Sequence, residues 1–133
     1  MIKPLTRAQL SEIPTLSLAY LGDAVFELLV REHLLRSGNY PPGELNRQAL
    51  SFVTAYSQSN AIEKLMESLT EDETDIFRRG RNAKQKGSSK RTHTPQYLKA
   101  TGLECVFGYL KLNGADERIA ELFDIIAQKP NPT

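Results

Sequence analysis

Residues 15–36 read TLSLAYLGDAVFELLVREHLLR, a stretch apolar nearly all the way round that nevertheless carries a carboxylate at Asp23. A second stretch, QYLKATGLECVFGYLKL at 96–112, has Glu104 as its only acid, set among Leu103, Cys105, Val106 and Phe107. A helix that is hydrophobic on every side is normally buried. An ionised carboxylate seldom is, unless a cation or a metal balances it. The two segments therefore predict two buried helices, each carrying one acid, and an acidic site inside an apolar core.

Two readings of these acids stand side by side. In one, Asp23 and Glu27, four residues apart on one helix face, make structural ion pairs with Arg31, Lys99 or another cation. In the other, Asp23 and Glu104 hold Mg²⁺, a hard ion that prefers carboxylate oxygens. Gly22 beside Asp23 costs a helix roughly 1 kcal/mol relative to alanine. A glycine there invites close approach of another backbone, either a second buried helix or a symmetry-related one. Gly108, four residues after Glu104, invites the same.

Working outward, every other segment also reads as helix. A short helix is expected over Arg7–Glu12, stopped by Pro14. The long apolar helix should open with Thr15 as N-cap and end near Gly38. Another runs from about Glu44 and breaks near Thr54, where the apolar spacing resets toward Ala61, Ile62, Leu65 and Leu69. Thr70 and Glu73 form a capping box for a helix holding Ile76 and Phe77. Thr94-Pro95 starts the second apolar helix, with proline at its first position, and Asn113-Gly114 ends it. A last amphipathic helix covers Asp116–Gln128. No run of alternating β-branched residues appears, so the expected class is all-α.

The chain's 133 residues suit one domain, spanning 1–133. No uncharged apolar run reaches the ~18 residues of a membrane span. The first residues, MIKPLTRAQLSEIP, carry no apolar signal core, so a cytoplasmic protein is expected. The single cysteine, Cys105, excludes an internal disulfide, and its spacing from His33 and His93 matches no zinc site.

A net charge of +1 conceals a segregation. Arg78, Arg79, Arg81, Lys84, Lys86, Lys90 and Arg91 lie in one stretch ending at His93, with no acid between them. Removing those seven from the chain's 17 basic residues leaves ten against 16 acids elsewhere. A cationic loop on an otherwise acidic protein points to a polyanionic partner. Gly80, Gly87, Ser88 and Ser89 read as loosening that loop.

These residues carry a family resemblance. Leu18-Ala-Tyr-Leu-Gly-Asp-Ala-Val25 resembles the signature helix of the ribonuclease III catalytic domain, and Glu104-Cys-Val-Phe-Gly108 resembles that family's second motif. Together with Arg79-Gly-Arg-Asn-Ala-Lys84, they resemble most closely the short Mini-ribonuclease III branch, which lacks a double-stranded-RNA-binding domain. The chain departs from the larger family at Ala19 and Thr101, where acids are usual.

The resemblance implies a homodimeric helical bundle that cleaves double-stranded RNA with Mg²⁺ and leaves a 5′-phosphate. Asp23 and Glu104 would be both catalytic residues and metal ligands. Arg78, Arg79, Arg81, Asn82, Lys84, Lys86, Lys90 and Arg91 would contact RNA. The implied substrate is the precursor of 23S ribosomal RNA, trimmed at its 5′ and 3′ ends. Ala19, Leu18, Tyr20, Leu21, Gly22, Val25 and Phe26 would pack against the partner subunit. The thinned acidic cluster motivates a rival: a catalytically silent helical RNA-binding factor for ribosome assembly.

Overall fold

The computed structural model describes residues 2–83 and 94–128. These form seven α-helices and no strand among the described residues. Local hydrogen bonds set most boundaries. Thr6 caps α1 (Arg7–Ser11) in a capping box with Gln9. Helix α2 (Thr15–Ser37) begins one residue earlier than expected: Pro14, not Thr15, is the N-cap, and Thr15 is the first helical residue. The Pro14 carbonyl accepts from the amides of Ser17 and Leu18, so no side-chain cap is needed to start the helix. Thr54 ends α3 (Pro42–Val53) and caps α4 (Ala55–Leu65) by accepting from the Ser57 amide. Thr70 and Glu73 cap α5 (Glu71–Asn82) reciprocally, as the sequence indicated. Thr94 caps α6 (Pro95–Leu112), and Gly114, at φ 75°, makes the turn into α7 (Asp116–Ala127).

Helix α6 is the axis of the molecule and packs against α2, α4, α5 and α7. Leu103, Cys105, Val106 and Phe107 on it are completely buried. Phe26 of α2 meets Phe107 and Phe123 edge-on, with ring centroids 5.6 and 6.0 Å apart. Such aromatic pairs add about 0.5–1.5 kcal/mol each beyond the area they bury. His33 lies edge-on to Phe52 and Phe123, a packing role. Helix α7 is tied back by Arg118, whose Nε and Nη2 donate to Glu73 at 2.9 Å each while Nη2 also donates to the Ser68 carbonyl.

Two expectations fail here. Helix α2 is not buried all round. Leu18, Gly22, Phe26, Val30 and Leu34 make one buried stripe, while Tyr20, Leu28 and Leu35 on other faces are 85%, 66% and 62% exposed. Leu18, Ala19, Gly22 and Phe26 are therefore core of this subunit and not available to a partner. The cationic segment is also not all loop. Helix α5 continues through Asn82, so Arg78, Arg79, Arg81 and Asn82 are helical. Gly80 does not loosen it; it is buried against α6.

Candidate functional site

The site begins with two glycines. A β-carbon placed on Gly22 would lie 1.6 Å from the Glu104 carbonyl oxygen, and one on Gly108 would lie 2.0 Å from that of Leu18. No side chain fits at either position, so α2 and α6 touch backbone to backbone. The approaching group that Gly22 accommodates is thus the second apolar helix of the same chain. Asp23 follows Gly22 directly, and this contact puts its carboxylate within hydrogen-bonding reach of Glu104.

The two acids sit in different surroundings. Asp23 is exposed, not enclosed in the core as the apolar flanks implied, whereas Glu104 is largely buried. Burial, then the charge of Asp23, then the hydrogen bond to Asp23 push the Glu104 carboxyl up from 4.5 to about 8. At neutral pH Glu104 therefore keeps its proton and donates it toward Asp23. Among the described residues, no lysine or arginine forms an ion pair with either acid. The cations suggested for them are engaged elsewhere: Arg31 with Glu27 at 2.7 Å and Lys99 with Glu63 at 2.7 Å. Among the described residues the ion-pair reading holds for Glu27 and finds no cation for Asp23.

Two facing carboxylates, one desolvated and neither paired with a cation among the described residues, make an oxygen donor set suited to a hard divalent ion. Mg²⁺ characteristically retains several waters and binds protein through one or two carboxylates. Among the described residues no group of three or more His, Cys, Asp or Glu side chains assembles, so the donor set is this pair. Ala19 and Thr101 are buried, and the Thr101 hydroxyl donates to the Tyr97 carbonyl at 3.1 Å. Neither supplies a further ligand. Cys105 is buried, with Sγ 3.3 Å from the Thr15 carbonyl, and burial first, then the Glu104 charge, raise its thiol to about 12. It is a packing residue, not a nucleophile.

Helix α5 presents the described part of the cationic segment. Arg78 and Arg79 are exposed, and Arg79 pairs with Asp75 at 3.5 Å. The Arg81 guanidinium lies 5.7 Å from the centre of the Phe77 ring, and its Nε reaches Asn82 at 3.4 Å. Lys84, Lys86, Lys90 and Arg91 lie outside the described residues. Sequence reasoning missed Gly80 and Gly102 as contact points between α5 and α6. The available signal was Gly80's place on the apolar stripe of Ile76 and Phe77, at helical spacing.

Comparison with known proteins decides the family: the Ribonuclease III domain matches residues 16–115, spanning both carboxylates and the α5 arginines. The chain belongs to the ribonuclease III family. Within it, the chain falls in the Mini-ribonuclease branch. It is 45% identical over 115 residues to the Mini-ribonuclease 3 of Symbiobacterium thermophilum, covering 86% of this chain and 88% of that one. It is 43% identical over 107 residues to the Mini-ribonuclease 3 of Brevibacillus brevis, covering 80% of each. A crystal structure of a Fusobacterium nucleatum protein superposes with a TM-score of 0.74 at 31% identity, covering 86% of this chain and 92% of that chain. This ribonuclease III-family protein is an endoribonuclease, of a family that acts on double-stranded RNA. No described helix is long and apolar enough to cross a membrane.

Proposed function

We propose that this endoribonuclease cuts double-stranded RNA with Mg²⁺ held by Asp23 and Glu104, and that its substrate is the 23S ribosomal RNA precursor, trimmed at both ends in the cytoplasm. The observation that carries the metal reading is the Asp23–Glu104 pair. A carboxyl pushed to about 8 by burial first and a neighbouring carboxylate second gains most when a cation replaces the shared proton. Mg²⁺ at such a pair would lower the pKa of a coordinated water and offset charge on the phosphoryl oxygens. Asp23, exposed at the surface, opens the pair toward a phosphodiester, and Glu104 anchors it from the desolvated side. Neither carboxylate needs to attack phosphorus.

A-form duplexes are recognised through backbone shape and 2′-hydroxyls rather than base edges. The arginine forks of Arg78, Arg79 and Arg81 suit bidentate phosphate contacts, and Asn82 suits a sugar or phosphate oxygen. Lys84, Lys86, Lys90 and Arg91 belong to the same proposal by charge. A homodimer would place two such sites on opposite strands of one duplex. The exposed Leu28 and Leu35 of α2, seven residues apart and so on one helix face, support the dimer, since exposed apolar groups that share a face can mark an interaction surface.

Cleavage of a structured 23S precursor fragment by Asp23→Asn and Glu104→Gln tests the site. A loss of at least about a thousandfold, with duplex binding retained in EDTA, is expected from removing the ion's ligands. Full activity in either variant would refute the assignment.

A further inference from the structure

We propose that Gly80 and Gly102 are positioning residues that fix the register between the arginine-bearing end of α5 and Glu104 on α6, and so the carboxylate pair that Glu104 makes with Asp23 of α2. The inference rests on the RNA-contact and carboxylate roles proposed above and adds the device that couples them.

The contact is reciprocal and made by backbone. A β-carbon on Gly80 would lie 2.7 Å from Cys105 Sγ and 2.8 Å from the Gly102 α-carbon. A β-carbon on Gly102 would lie 2.5 Å from the Phe77 ring and 2.7 Å from the Phe77 carbonyl oxygen. Each helix thus seats a glycine of the other at its own surface. Arg79 and Arg81 flank Gly80, and Glu104 lies between Gly102 and the Cys105 sulfur that Gly80 touches. Since the rise of an α-helix is about 1.5 Å per residue, the contact is centred within about 3 Å of Glu104 along α6. Arg81 rests on the same Phe77 ring that Gly102 accommodates. Cys105 also binds the Thr15 carbonyl of α2, which joins the third helix to the junction.

A methyl group at either glycine forces α5 off α6, because the opposing atoms include backbone. The arginines then move relative to the carboxylates while both sets keep their chemistry. Catalysis tolerates such misplacement poorly, with losses on the order of 100-fold for about 1 Å. RNA affinity, set by charge, should hardly change.

The test compares Gly80→Ala with Cys105→Val, which pushes on α5 through a side chain alone and serves should Gly80→Ala not fold. Folding is checked by circular dichroism. Duplex RNA affinity is measured in EDTA, Mn²⁺ affinity by electron paramagnetic resonance, and single-turnover cleavage in Mg²⁺. The expected result is a cleavage rate at least tenfold lower, with RNA and Mn²⁺ affinities within about threefold of the parent. A folded variant that cleaves at the parental rate, whatever its melting temperature, overturns the proposal. So does a rate loss fully explained by weaker RNA or Mn²⁺ binding. Alanine at Arg78, Arg79 and Arg81 in the parent chain isolates the underlying reading: unchanged RNA affinity there would remove the RNA role of α5 itself.

Discussion

Replacing Glu104 with Gln should abolish cleavage and, in the absence of metal, stabilise the fold. The ordinary carboxyl value is 4.5 and the folded value about 8. Between them, the folded chain holds a proton that the unfolded chain has released. Stability therefore falls as pH rises through that window, and the whole cost is present above pH 8. At about 1.4 kcal/mol per tenfold, the cost of the ionised form is bounded near 5 kcal/mol. The side chain retains some solvent exposure, and screening reduces this to roughly 2–3 kcal/mol. Glutamine keeps the shape, cannot ionise, and still donates an N–H toward Asp23. Thermal unfolding in EDTA should give Glu104→Gln a melting temperature about 6–12 °C above the parent at pH 8 to 8.5. The gap should close toward pH 5, where the parent carboxyl is protonated in the fold. Added Mg²⁺ should raise the parent at pH 8 and leave the variant unchanged. A gap independent of pH, or a variant less stable than the parent at pH 8, would refute the argument that burial and Asp23 hold the Glu104 proton.

Three further outcomes follow from the packing. Gly22→Ala should lower the urea midpoint by an amount equivalent to at least about 3 kcal/mol, because the new methyl overlaps the Glu104 carbonyl and the helices must separate. Glu73→Gln breaks a buried pair with Arg118 and should cost about 2–4 kcal/mol at pH 7 by chemical denaturation. Burial raises the Glu73 carboxyl, but hydrogen bonds from Arg118 and Thr70 outweigh it and leave the group below its ordinary value. Its contribution is then present above the unfolded value and lost as pH falls through the lower folded one, so parent and variant should converge in acid. Leu28→Glu, on the exposed face of α2, should shift sedimentation from dimer to monomer while leaving the helical content intact; an unchanged sedimentation coefficient would place any dimer contact elsewhere.

Much of the site was legible because its chemistry violates its surroundings. Asp23 and Glu104 are acids on segments with almost nothing else to hide, and Gly22 and Gly108 sit beside and one turn from them. What periodicity misjudged was burial. A helix apolar on all sides reads as enclosed, yet α2 covers only one stripe with its own subunit and leaves Tyr20, Leu28 and Leu35 outside. Hydrophobic pattern cannot distinguish a surface meant for the chain's own core from one open to another molecule. Gly80 was misread for a related reason. Glycine beside a charge run looks like a hinge, but the same missing side chain admits Cys105 and Gly102 of α6.

The sequence by itself determined the helices and the chemical inventory. Thr6, Thr54, Thr70 and Thr94 cap their helices through bonds to residues three positions on, a local interaction that needs no tertiary partner. The charge segregation and the two isolated acids were equally plain. Only the tertiary structure decided that Asp23 and Glu104 face each other, that Arg31 and Lys99 belong to other acids, and that Glu104 keeps its proton. Those outcomes depend on distance and desolvation between segments remote in sequence. Here they turn on two glycines whose missing side chains let α2 and α6 touch.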